Sequence, residues 1–179
     1  RDIPFSHALW IEREDFEEVP PPGFKRLTLG GEVRLRGAGI IRCDEVVKDE
    51  AGRAIELRCT LDPESRPGME GANRKIKGTI HWVSAKHGVP AEIRLYDRLF
   101  SVPDPDNDAG GKTYVDYLNP GSRKVVTGYV EPAAAGAAPE QGFQFERSGY
   151  FVADRYDHQP GAPVFNRSVT LRDTWTQKG

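Results

Sequence analysis

No apolar run in this chain approaches the roughly 20 residues that a membrane-spanning helix needs, so no such span is expected. Cysteine is almost missing. Cys43 and Cys59 both fall on strand-like segments and read as small buried hydrophobes of a reducing compartment. Two thiols without clustered histidines make no zinc site of the usual form. The four histidines, His7, His81, His87 and His158, are dispersed, and no metal site is expected from them. No glycine-rich segment carries the lysine and hydroxyl that a phosphate-cradling loop requires. Apolar residues at helical spacing never persist for three turns, so long helices are not expected either.

A net charge of −2 also lacks the positive excess that usually accompanies a nucleic-acid partner, because affinity for phosphate comes mainly from lysine and arginine displacing counterions. Distribution outweighs the sum. Acidic residues crowd into 12–18 and 104–108, whereas Lys25, Arg26, Arg34, Arg36 and Arg42 have few acids among them before Asp44. One basic face on a nearly neutral protein is the expectation.

Alternation with a period of two is what the chain does contain, and it marks strands. Ile55, Leu57, Cys59 and Leu61 alternate with Glu56, Arg58 and Thr60. The turn at 48–53 would pair this strand with 40–47 as a hairpin. Further strands are expected at 9–12, 26–29, 32–36, 76–83, 92–96, 124–130, 143–151 and 169–175. A helical turn is expected within 12–18, since Pro20-Pro21-Pro22-Gly23 stops it. Segments 101–112 and 131–141 read as mobile surface loops. The natural divide lies at 84–90, giving units 1–84 and 85–179. Many short strands with long loops give an all-β class, barrels or sandwiches. The chain starts at Arg1 rather than methionine and reads as a piece of something longer.

No nucleophile, acid or base converges in a recognisable catalytic signature. Asp157-His158 has the look of half a triad, but Gln159-Pro160-Gly161 makes it a loop tip. The basic strands are the better candidates. Arg34 and Arg36 are two apart, so a regular strand sends both to one face, about 7 Å apart along the backbone. Such a pair can grip a phosphate and a base edge; a solvated strand face carrying arginine for solubility is the alternative. Gln144 and Arg147 are three apart and fall on opposite faces of an ideal strand, so their joint use of one base would need a bulge or strand end there. Phe143 and Phe145 are assigned to the core, with Tyr150 and Phe151 continuing that packing.

Several segments together carry a family resemblance: Gly78-Thr79-Ile80-His81-Trp82-Val83-Ser84, Ile93-Arg94-Leu95-Tyr96-Asp97-Arg98-Leu99-Phe100, Phe143-Gln144-Phe145-Glu146-Arg147 and 165–175. Nearly end to end, the chain resembles the C-terminal anticodon-binding region of the glutaminyl-tRNA synthetases. The resemblance implies two small β-barrels in tandem, like the bacterial protein that holds 5S rRNA, with strand connections crossing between them. It implies that Gln144 and Arg147 meet the middle anticodon base, that Arg26, beside the anticodon-binding Lys25, meets the third, and that Arg34 and Arg36 lie around the first. Sequence-specific RNA readers act on unstacked loop bases, whose Watson–Crick edges arginine and glutamine can bond.

The same resemblance implies tRNA(Gln) as partner and a cytoplasmic location. It implies a class I catalytic domain upstream in the same polypeptide, using ATP and Mg to attach glutamine. No catalytic or metal site and no cofactor are expected in this segment itself. Thr79-Ile80-His81-Trp82 faintly resembles the ATP-binding signature of class I synthetases, but the second histidine preceded by glycine is missing, and His81 reads as a strand residue. Gly23 stands where the family often has a polar residue, and a further arginine for the middle base would lie before Arg1. Three rivals remain: the matching region of the non-bacterial type of glutamyl-tRNA synthetase, a free-standing rRNA-binding β-barrel module, and an interaction module that binds no RNA.

Overall fold

Strands make up nearly all the regular structure in the computed structural model, which describes residues 3–107 and 110–171. The chain divides into two units, Arg1–His87 and Gly88–Gly179. In the first, strands run β1 (Leu9–Trp10), β2 (Glu32–Leu35), β3 (Ile40–Lys48), β4 (Ala54–Asp62), β5 (Thr79–Ile80) and β6 (Val83–Ser84). They pair as a four-stranded sheet in the order β4-β3-β2-β5 and a two-stranded sheet β1-β6. The β3–β4 hairpin is the one that alternation predicts. Its turn is held by Asp49, whose Oδ1 accepts from the backbone N–H of Ala51 at 3.0 Å and of Arg53 at 2.9 Å, while Gly52 takes φ +76°, which glycine adopts without a side-chain clash.

In β2, Val33 and Leu35 are fully buried and Arg34 stands on the other face. They join Phe16, Leu27, Ile41, Cys43, Ile80 and Trp82 in the core of this unit. Each large apolar side chain so buried contributes roughly 1.5–3 kcal/mol. Cys43 is buried as expected, but Cys59, its cross-strand partner on the edge strand β4, is exposed.

The second unit contains β7 (Val89–Tyr96), β8 (Arg123–Val130), a single helical turn α1 (Pro132–Ala135), β9 (Gly142–Phe145), β10 (Gly149–Ala153) and β11 (Val164–Val169). The order is β8-β7-β11-β10-β9, with β7 and β11 parallel and the other neighbours antiparallel. Phe165 is fully buried among Ala91, Ile93, Val130, Phe151 and Ala153. Phe145 stacks on Phe151 at 4.6 Å, and Phe143 meets Phe165 edge-on at 5.7 Å.

The all-β class holds. Among the described residues the pairings leave both larger sheets as open ladders rather than closed barrels, and each sheet takes all its strands from one unit, where the resemblance implied crossing connections. Two-residue strands such as β5 are too short to carry a ladder around to closure. The continuous strand expected at 76–83 is broken at His81-Trp82, because Trp82 turns inward and donates its indole N–H to the Arg36 carbonyl at 3.0 Å. In place of a strand at 26–29 there are single bridges, Phe16 to Leu27 and Leu29 to Cys43. The expected helical turn in 12–18 is a 3-10 helix, Arg13–Asp15. The run expected at 143–151 is a hairpin, and Tyr150 is 46% exposed rather than packed. Of the strand expected at 169–175 and the Leu171-Arg172-Asp173-Thr174-Trp175 ending, residues 172–175 lie outside the described residues.

A charged cluster anchors the loop that follows β10. Arg94 on β7 pairs with Glu92 at 2.6 Å, Asp154 at 3.1 Å and Asp157 at 2.6 Å. Hydrogen bonds from Asn166 first, then from the Asp157 and Tyr156 backbone N–H groups, with Arg94 adding its charge, hold the Asp154 carboxyl down at about 2. A carboxyl whose pKa is depressed on folding stabilises above its unfolded value and loses that contribution as pH falls through its folded value. The stability gap between the wild type and Asp154→Asn, roughly 2 kcal/mol at neutral pH, should therefore close between about pH 4 and 2 in a series of melts. A gap constant over that window would refute the assignment.

Candidate nucleic-acid interface

The proline turn before Lys25 ends at Gly23, whose φ of +82° and the Phe24 N–H to Pro21 carbonyl bond of 3.1 Å redirect the chain. Leu27, fully buried, anchors the far end of the segment. Between them Lys25 is exposed, and its carbonyl lies so near Gly78 that a Cβ built there would stand 1.8 Å from the oxygen. Arg26 keeps 38% of its side chain exposed. Its Nη1 donates to the Glu14 carbonyl at 2.8 Å and its Nε lies 3.4 Å from Oδ1 of Asp15, whose side chain is wholly buried.

Arg34 and Arg36 follow on and just after β2. Arg34 is half-buried and tied down: Nη2 donates to the Arg74 carbonyl at 2.8 Å, with Nη1 at the limit of bonding distance, 3.5 Å, from the Ser65 carbonyl. Arg74 itself bridges Glu32 at 2.8 Å and Asp62 at 3.0 Å. Its hydrogen bonds hold the Glu32 carboxyl below the ordinary carboxylate range. Arg36 lies one residue past the strand end and is exposed; its backbone N–H still reaches the Ile80 carbonyl at 3.0 Å.

Parallel pairing of β5 with β2 brings a further basic segment alongside. The Arg34 N–H donates to the Gly78 carbonyl at 3.0 Å, and the exposed Lys75 and Lys77 precede that glycine. These two lysines were missed from the sequence, where 76–83 reads only as a strand. The signal available was the run Arg74-Lys75-Ile76-Lys77, with its lysines two apart. Segments 25–26, 34–36 and 74–78, distant in sequence, thus form one basic neighbourhood of the first unit.

In the second unit Gln144 and Arg147 occupy the β9–β10 hairpin. Gln144 is exposed and pairs across the ladder with Tyr150, so those two side chains share a face opposite Phe143 and Phe145. The strand ends at Phe145, and the turn is closed by the Ser148 N–H to Phe145 carbonyl bond of 2.9 Å. The strand end that joint use of one base by Gln144 and Arg147 requires is therefore present. Arg147 holds φ +69°, a left-handed conformation costing roughly 1–2 kcal/mol for a residue with a side chain. Gly149 takes φ +139°, and a Cβ there would meet the Val169 carbonyl oxygen at 2.7 Å.

The rival chemistry finds little support. His158 is buried with both ring nitrogens committed to backbone: Nε2 lies 3.1 Å from the Ala137 carbonyl, and Nδ1 lies 3.2 Å from the Val164 N–H. Asp157 is engaged by Arg94. Among the described residues no group of three His, Cys, Asp or Glu side chains could hold a metal ion, and no helix is long and apolar enough to cross a membrane.

Comparison with known proteins places the chain in a family. Two family models, both described as class I (E and Q) tRNA synthetase anti-codon binding domains, match residues 1–62 and 79–154. The chain is 73% identical over 177 residues to the glutamine--tRNA ligase of Xanthomonas euvesicatoria pv. vesicatoria, covering 99% of this chain and 31% of that protein. It is 70% identical over 175 residues to the glutamine--tRNA ligase of Xylella fastidiosa, covering 98% of this chain and 30% of that protein. The chain thus spans about a third of the length of the curated relatives it matches.

Proposed function

We propose, from the premise that this chain belongs to the anticodon-binding family of the class I tRNA synthetases for glutamate and glutamine, that it reads the anticodon of tRNA(Gln) for a glutamine--tRNA ligase. A class I catalytic domain elsewhere in the same cytoplasmic polypeptide performs the ligation, using ATP and Mg. The two readers are residues 1–84 and 85–179. Gln144 and Arg147 bond the middle base, Arg26 the third with Lys25 beside it on the anticodon, and Arg34 and Arg36 the first.

The observation that supports this best is the hairpin tip. An exposed glutamine on β9 and an exposed arginine in the left-handed turn just after it flank a strand end whose phenylalanines pack against the core. Amide and guanidinium together can satisfy the donor and acceptor edge of an unstacked pyrimidine. A left-handed backbone at an exposed arginine is the kind of conformation that functional sites retain. Lys75 and Lys77 add phosphate contacts that position the loop without reading it.

The test uses the full-length protein with tRNA(Gln) and variants altered at one anticodon position. Arg36→Ala should cost roughly 1–3 kcal/mol of preference for the cognate first base. Lys77→Ala should instead weaken all these tRNAs alike and reduce the salt dependence of binding by about one phosphate's worth. Unchanged ranking of cognate and altered tRNAs across such variants would overturn the residue assignment, and tighter binding of a glutamate tRNA would overturn the choice of substrate.

A further inference from the structure

Arg26 is gripped from below. The 3-10 helix Arg13–Asp15 is laced to the segment carrying Arg26 by the Leu27 N–H to Asp15 carbonyl bond of 3.0 Å and the Glu17 N–H to Leu27 carbonyl bond of 3.2 Å. Phe16 and Leu27 are buried on either side of this lacing, so Asp15 cannot move independently of the core. From that fixed point the Asp15 carboxylate, wholly buried, faces Nε of Arg26 at 3.4 Å, and the Glu14 carbonyl takes Nη1 at 2.8 Å. The two grips take Nε and Nη1. Among the described residues no hydrogen bond engages Nη2, and 38% of the side chain remains exposed.

A carboxylate kept out of water is costly, and an apolar side chain would serve a core better. The acid is intelligible if its purpose lies in what it holds. A free arginine side chain samples many rotamers and must freeze one to bond a base; an arginine already held at Nε and Nη1 presents its Nη2 donors in a fixed direction and loses less freedom on binding. Supporting a contact residue with a second, immobile partner is how recognition sites obtain that rigidity.

We infer that Asp15 is a positioning residue for anticodon recognition: its buried carboxylate orients the Arg26 guanidinium so that the Nη2 edge meets the third anticodon base. This rests on the assignment of Arg26 to that base. In this role Asp15 touches no nucleotide and acts through Arg26, so its effect on third-position discrimination should vanish once Arg26 is removed.

The experiment is a cycle in the full-length protein with Asp15→Asn, Arg26→Ala and the double variant. Charging efficiency is measured for tRNA(Gln) and for tRNAs altered at the first or third anticodon position. Asp15→Asn should reduce third-position discrimination about tenfold, within the span expected for a lost base contact, and leave first-position discrimination unchanged. The double variant should be no worse than Arg26→Ala. If Arg26→Ala itself leaves third-position discrimination intact, the assignment of Arg26 fails. If Arg26→Ala lowers it while folded Asp15→Asn does not, or if the two losses multiply, the positioning role fails. Should Asp15→Asn not fold, Asp15→Glu keeps the charge and displaces it by a methylene; retained third-position discrimination in that variant overturns the inference equally.

Discussion

Replacing Gly78 by alanine is expected to destabilise the first unit by on the order of 3 kcal/mol, at the upper end for overpacking. The added Cβ would stand 1.8 Å from the Lys25 carbonyl oxygen and 3.3 Å from Cγ2 of Val33. The first of these is a backbone atom between a proline turn and a buried leucine, so no rotamer change relieves the clash. Either the 24–26 segment lifts away from β5 or the β2–β5 pairing opens. Calorimetry should register a fall of roughly 10 °C or more in the first unit's melting temperature. Binding of tRNA should weaken as well, because Lys25 and Arg26 lose their seat. Gly142→Ala is the control: a Cβ there meets nothing within 4 Å, and its effect should stay within about 0.5 kcal/mol. A Gly78→Ala protein that melts with the wild type would disprove the close approach.

The second large effect divides stability from recognition. Arg147→Gly should raise the melting temperature of the second unit or leave it unchanged. Glycine removes the left-handed penalty, and its extra freedom in the unfolded chain offsets part of the gain, for a net stabilisation of up to about 1 kcal/mol. The same substitution should cost roughly 1–3 kcal/mol of preference for the cognate middle base. Arg147→Ala keeps the strain and should lose recognition without gaining stability. Comparing the two variants by melting and by competition between tRNAs altered at the middle position isolates the strain. A loss of stability in Arg147→Gly larger than in Arg147→Ala would show that the side chain's own contacts, and not its backbone, dominate at that turn.

Local patterns were legible and distant commitments were not. The β3–β4 hairpin could be read from alternation because its pairing partners lie on either side of one short turn held by Asp49. The turn at Arg147 could not, since arginine carries no signal for positive φ; only the family resemblance drew attention to Gln144 and Arg147. Asp15 looked like one more charge in an acidic, solvated stretch. Its burial depends on Leu27 and the core beneath, which no window of sequence around residue 15 contains. Arg34 and Arg36 read as an equivalent pair, yet Arg34 is occupied by a carbonyl 40 residues away while Arg36 stays outside the strand. Cys59 was misjudged because alternation reports which side of a strand faces inward and says nothing about whether that end of the sheet is covered.

The central place of β11 in the second sheet makes completion of this unit a late event. It separates two hairpins, β8-β7 and β10-β9, that touch it from opposite sides, and an isolated pair of strands is marginal in water. A nascent chain that has not yet supplied residues 164–169 therefore displays the rings of Phe143, Phe145 and Phe151 with no Phe165 to close over them. Premature termination anywhere between the second hairpin and that final strand leaves a sticky half-sheet, whereas the first unit, whose pairings are complete by Ser84, can already have folded.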